Sequence, residues 1–434
     1  MHDRYPLKPD QITDEKPLPS NNHLRRVGKK VMALATAAVA AAVFFGEANN
    51  DANAGRGLPN TNIHEASPKT TVTSVTTKDR VVYINEKPAF LFGVWAPKDD
   101  WSVDNLGTNV LISHWDTSPE NFADSVAGRA WILRYSQPGD SLGKTLPNQI
   151  GVAWADEPDG YKIGPQELAS TPQDGRLNFQ NYLQHIADAG LNTNESARGL
   201  YQGYIKNLGR KAVIGFDYYI MNWDSCKFPT TGPGDIYHYT LGTKWVSPKD
   251  TPIEVFIETV KLPGSCPVEL TPKLVTGEAK AAITAGATWI NWWERTGLNT
   301  PNATSPKVAR AIKSFTEEVH SLSPILLAPQ MNEKKIKFLR VEWDDPLKLG
   351  GRVVTGKNGK VTNYVIAFNG SDKPLVMEKK LPGLSGGQKV TEAITGKTVV
   401  AKNGEVQYTL AAYDWGIFGY TLPLATDGNR QQGR

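Results

Sequence analysis

Cysteine is scarce in this chain: Cys226 and Cys266 are the two among 434 residues. Two thiols cannot build the bridged framework of a small secreted scaffold, and no Cys/His spacing has the rhythm of a zinc site. A strong charge of one sign is also missing. The 48 basic and 44 acidic residues leave a formal +4, partly near the N-terminus, which gives no reason to expect nucleic acid as a partner. No glycine-rich phosphate loop follows a strand, since Gly93 and Gly151 stand alone without the needed spacing, and this disfavours an open dinucleotide-binding sheet. What is plentiful is apolar and aromatic. Apolar residues make up 40% of the chain against 21% charged, enough to bury a large core and to argue against global disorder. The 12 Trp and 15 Tyr supply flat faces of the kind that stack on sugar rings, or fill a large core.

The N-terminus reads as an address. Arg25, Arg26, Lys29 and Lys30 precede an apolar run over 31–45, and Ala52-Asn53-Ala54 offers small residues to a peptidase. The run has 15 residues, short of the ~20 that span a bilayer core. Residues 1–54 are therefore expected to be a secretory signal peptide or an uncleaved N-terminal anchor, the latter because the charged leader is long. Either way the folded part is secreted, periplasmic or on the cell surface, and meets membrane only through such an anchor. In that setting Cys226 and Cys266, in loops after consecutive strands, are a candidate disulfide, provided their Cα atoms come within about 7 Å.

Residues 55–77, rich in Thr, Ser, Asn and Pro, read as a disordered linker. A hairpin over 80–88 follows, and then eight short apolar runs: 89–95, 110–113, 130–133, 150–154, 177–179, 212–216, 253–257 and 287–291. Helical patterns lie between several of them, including 181–189, 200–208 and 278–285. Strands alternating with helices eight times predict an α/β fold, a (β/α)8 TIM barrel over 78–328. From about residue 334 the texture changes to short strands with Gly/Asn turns, so a small antiparallel β-sandwich domain is expected over 329–424, followed by a disordered tail at 425–434.

In such barrels function gathers at the C-terminal strand ends. The residues there are His114, Arg134, Trp154, Asp156, Glu157, Asp217, Tyr219, Glu258, Trp292, Trp293 and Glu294. Two carboxyl groups facing one mouth can cleave a glycosidic bond, one protonating the leaving oxygen and the other acting as nucleophile or base. Glu157 and Glu258 satisfy this topologically.

"WADEPDG" after the fourth strand, the Glu closing "EVFIE" on the seventh and the aromatics of "WINWWE" on the eighth resemble the clan A glycoside hydrolases. The resemblance implies a retaining glycosidase acting on an oligo- or polysaccharide without cofactor or metal, with Glu157 as acid/base and Glu258 as nucleophile about 5–5.5 Å apart. It also implies Trp292 or Trp293 as the floor under the sugar. Where the clan has Asn before the acid/base, this chain has Asp156, which when ionised only accepts hydrogen bonds. Asp156, Trp154, Tyr219, Glu294, His114 and Arg134 are further candidates for substrate contact, and Asp217 reads better as a hydrogen-bonded structural residue. Two rivals remain open: a non-catalytic carbohydrate-binding barrel, and a metal-dependent hydrolase using His114, Asp116 and Asp217, for which paired His ligands are missing.

Overall fold

The computed structural model describes residues 63–422 apart from 96, 98–99, 114–118, 138–142, 162, 169–174, 192–194, 228–230, 263, 294–303 and 332–343. The proposed leader, the tail at 425–434, His114, Asp116 and Glu294 lie outside the described residues. Three short strands, β1 (Val75–Lys78), β2 (Val81–Ile84) and β3 (Lys87–Ala89), form an antiparallel sheet at the start. β1 falls inside the stretch read as linker. Only one of its four residues, Val75, is buried, so its apolar signal is slight.

Eight parallel strands then close into a barrel: β4 (Leu91–Trp95), β5 (Val110–Ile112), β6 (Trp131–Ser136), β7 (Gln149–Trp154), β8 (Leu177–Leu183), β9 (Ala212–Asp217), β10 (Ile253–Glu258) and β11 (Trp289–Trp293). Each matches one of the eight apolar runs. Every residue of β7, β9 and β10 is buried, as parallel strands covered on both faces must be. The helices among the described residues are α1 (Trp101–Leu106), α2 (Glu120–Ala123), α3 (Pro165–Leu168), α4 (His185–Leu191), α5 (Glu195–Leu208), α6 (Ile220–Trp223), α7 (Gly234–Val246), α8 (Pro272–Ala285) and α9 (Pro306–Leu326). Their starts follow local chemistry. Thr271 and Ser305 accept from the amides of Leu274 and Val308, with Pro272 and Pro306 just inside α8 and α9. No helix among the described residues is long and apolar enough to cross a membrane.

The sandwich is built from β12 (Leu347–Thr355), β13 (Val361–Asn369), β14 (Leu375–Lys380), β15 (Lys389–Glu392), β16 (Thr398–Val400), β17 (Glu405–Leu410) and β18 (Trp415–Thr421). A five-stranded sheet, β12-β13-β18-β15-β16, and the pair β14-β17 enclose Val365, Phe418, Met377 and Val406 in one core. It is fastened to the barrel by Tyr237 Oη donating to the Leu349 carbonyl at 2.6 Å and by Trp415 Nε1 donating to Glu318 at 2.9 Å.

Inside the barrel, alternation splits each strand. Trp131, Leu133, Tyr135, Ala153, Leu177, Phe179, Val213, Phe256 and Trp289 form one cluster with Trp95, Tyr219 and Trp293 packed against it, while Val152, Trp154, Val255, Ile257 and Trp292 join the helix-facing cluster. Two glycines make room for a polar pair in this interior. A Cβ on Gly93 would run into Asn291 Oδ1, and one on Gly215 would run into Glu254 Oε2. Glu254 is fully buried beside Asn291; burial, with the charge of Asp156, holds its carboxyl well above the usual range against the lowering effect of its bond to Asn291. Gly93→Ala is accordingly expected to destabilise the protein by about 1–3 kcal/mol through overpacking, read as a lower denaturant midpoint at unchanged slope. An unchanged midpoint would mean that Asn291 can simply step aside.

Candidate active site

β7 ends at Trp154 in a strained turn. Ala155 and Glu157 both take left-handed backbone conformations, at φ 31° and 44°. For a residue with a Cβ that geometry costs on the order of 1–3 kcal/mol and persists only where surrounding bonds enforce it. Those bonds are present. Gln180 donates to the Ala155 carbonyl at 2.6 Å, and the amides of Gly160 and Tyr161 donate to the Glu157 carbonyl at 2.9 and 3.1 Å. Asp159 accepts from Tyr201 Oη at 2.8 Å and from the Leu183 amide at 3.2 Å. The turn thus holds Asp156 and Glu157 at the C-terminal end of the barrel.

The neighbour of Glu157 is Asp217, the last residue of β9: each carboxyl perturbs the titration of the other. Burial raises Glu157 to about 7, helped by the charges of Asp156 and Asp159, against the lowering effect of its bond to Asp217. Asp217 is raised further, first by burial and then by Glu157 and Asp156. Around the pair, Asn181 donates to Asp156 Oδ1 at 3.1 Å, Tyr219 Oη donates to Asp217 Oδ2 at 3.3 Å, and the Tyr219 ring packs 5.1 Å from that of Trp293. Trp95 and Tyr135 meet edge to face at 5.7 Å in the same inward cluster. Among the described residues no group of three His, Cys, Asp or Glu is arranged to hold a metal ion.

Glu258, on the same face of β10 as Phe256, has partners of its own: its carboxylate accepts from the amides of Met221 at 2.5 Å and Asn222 at 2.9 Å and from the Asn222 side chain, and Glu278 of α8 lies beside it. It is 1% exposed and is raised to about 7, by burial above all. Three candidates for substrate contact lie away from the mouth. Trp154 is buried on the helix-facing side, its indole donating to Asn178 Oδ1 at 3.0 Å. Trp292 is buried there too, stacked 6.0 Å from Phe92. Arg134 sits between the inward Leu133 and Tyr135, is paired with Glu120 and donates to the Lys144 carbonyl at 3.1 Å. In all three cases strand alternation carries the side chain outward. Asp156, Tyr219 and Trp293 remain with the Glu157–Asp217 pair.

Asn181 and Glu254 belong to this polar group and were not among the candidates read from the sequence. A signal for Glu254 existed: an acid inside the apolar run "IEVFIE", with isolated glycines in β4 and β9. The expected disulfide needs no such revision, for Cys226 and Cys266 are bridged, with Cα atoms 5.3 Å apart. Open clefts of about 650 and 710 Å³ flank Trp245; the first is lined by residues just before β9 and β10, the second also by Arg80 and by Pro329, Gln330 and Met331, and neither includes a residue of the carboxyl pair.

No protein-family model matches the sequence, and no curated protein does. Solved structures with a similar chain path include a glycoside hydrolase (11% identity, TM-score 0.49, covering 84% of this chain and 100% of that one). Others are α-galactosidase I from Mortierella vinacea (11%, 0.40, 74% and 90%) and a GH30 endoxylanase from Clostridium papyrosolvens C71 (12%, 0.39, 81% and 99%). Likeness at this level leaves the reaction to be argued from the side chains.

Proposed function

We propose that this protein is an exported glycoside hydrolase that cleaves O-glycosidic bonds with the carboxyl pair Glu157 and Asp217. The observation that carries the reading is the placing of two buried carboxyls side by side at the C-terminal ends of two barrel strands, with Tyr219 bonded to one of them and stacked on Trp293. Asp217, the more deeply buried carboxyl, is the acid that protonates the leaving oxygen. Glu157, ionised at a lower pH, is the nucleophile at the anomeric carbon, and after the glycosyl-enzyme forms Asp217 takes a proton from the attacking water. Carboxyls already in contact are nearer to the about 5–5.5 Å of retaining enzymes than to the about 6.5–9.5 Å of inverting ones, and a sugar wedged between them opens the gap. Export accords with the bridge between Cys226 and Cys266, since such bonds persist in oxidising compartments.

Turnover of a panel of aryl glycosides by the purified protein tests this reading, with and without a chelator. Activity indifferent to chelator supports the carboxyl pair; a non-catalytic sugar-binding barrel gives none. Because Glu157 is raised to about 7, kcat/KM is expected to fall as pH is lowered through about 7, the carboxylate being titrated away. A profile still flat down to pH 5 would exclude Glu157 in this role.

A further inference from the structure

We infer that Glu258 is a positioning residue for this site: it fixes the segment that carries Asp217 and Tyr219. The inference rests on the reading of Glu157 and Asp217 as the reacting pair. Asp217 ends β9 and α6 begins three residues later, at Ile220. A carboxylate that accepts both the Met221 and Asn222 amides caps the first turn of that helix and ties it to the end of β10, 36 residues away from Asn222. Asn222 extends the tie. Its side chain also donates to the Val260 carbonyl at 3.1 Å and accepts from the Leu262 amide at 2.8 Å, and its carbonyl accepts from the Cys266 amide at 2.7 Å. The Cys226–Cys266 bridge closes the same two loops from the other side. Glu278, buried on α8 beside Glu258, is raised well above the usual carboxyl range by burial and by the charge of Glu258.

The link to chemistry runs through Tyr219. It immediately precedes α6, its hydroxyl donates to Asp217, and its ring rests on Trp293. Among the described residues, the groups facing the Glu157–Asp217 pair are Asp156, Asp159 and Tyr161 from the β7 turn, Asn181 from β8 and Tyr219 from this segment. Tyr219 is the one of these that moves with α6. If the helix start shifts, Asp217 loses a donor to its ionised form and holds its proton to higher pH.

Glu258→Gln tests this, because an amide cannot accept from both backbone groups at once without aiming its own NH2 at one of them. Against aryl glycoside, kcat is expected to drop about 10- to 100-fold with KM changed less than threefold, and the alkaline limb of the pH profile to move upward. Added azide or formate should restore nothing. Hydrogen exchange of the 217–226 segment should speed up while the disulfide stays intact. Glu278→Gln, which leaves the bonds from Met221 and Asn222 to Glu258 in place, should stay within about twofold of wild type. Rescue of Glu258→Gln by azide would make Glu258 the nucleophile and overturn the inference. So would a rate loss with unmoved pH limbs, since a partly misfolded population scales the rate without changing its titration. If the wild type turns over no glycoside, the proposed function falls, and faster or unchanged exchange at 217–226 then decides the positioning role alone.

Discussion

Glu157→Gln and Asp217→Asn are each expected to lower kcat by about a thousandfold or more, with the double variant little worse than either. With a poor leaving group both carboxyls are needed for the same bond to break, so once one is gone the loss of the other adds little. In Glu157→Gln the amide that replaces the carboxylate cannot form the glycosyl ester. In Asp217→Asn the amide has no proton of suitable acidity to give a leaving oxygen. The same substitutions should leave stability intact or raise it slightly. Each removes a buried acid that is held above its ordinary range by burial and by neighbouring like charges. This contrast separates chemistry from folding: a variant that melts like wild type yet fails to turn over has lost a reacting group. A leaving group that needs no protonation, such as dinitrophenolate, should largely rescue the first step in Asp217→Asn and not in Glu157→Gln. If Asp217→Asn keeps more than a tenth of wild-type activity on a poor leaving group, the pairing proposed here is disproved.

The barrel was legible because each strand is a short apolar run, and burial on both faces forces that composition. β8 was the faintest. Asn178, Gln180 and Asn181 break its apolar texture, yet all three are buried and bonded, to Trp154 and the Leu208 carbonyl, to the Ala155 carbonyl and to Asp156. The helical pattern seen over 181–189 accordingly begins too early, since the strand runs to Leu183 and α4 starts at His185. The polar residues that blurred the strand are the ones that hold the β7 turn in place.

Within the site, position along the barrel was legible and direction was not. Glu157, Asp217 and Glu258 all stand at strand ends or just beyond. What divides them is a non-local matter: α6 lays its first amides over Glu258 and leaves Asp217 facing Glu157. No spacing in the sequence encodes which carboxyl a helix start will claim. For Trp154 and Arg134 the information was present. Small Gly151 and Ala153 alternate with Trp154, and Trp131, Leu133 and Tyr135 alternate with Arg134, so the pleat assigns both large side chains to the outer face.

Replacing Cys226 and Cys266 together by serine is expected to cost about 4 kcal/mol, because the bridge closes a loop of some forty residues and withholds that chain entropy from the unfolded state. For a chain of this size that is a fall in Tm of about 5 °C. The loss should not stop at stability. The bridge joins the end of α6 to the loop after β10, beside the Asn222 contacts that help hold the Tyr219 segment, so kcat should decline with the pH limbs displaced in the same sense as in Glu258→Gln. Combining the serine pair with Glu258→Gln should then give less than the product of the separate effects, since both loosen one segment. Protein produced in a reducing cytosol should melt like the serine variant until it is oxidised. Equal melting temperatures for the bridged and serine forms would show that the native contacts around Asn222 hold these loops without the bond, and would remove the energetic reason for an oxidising destination.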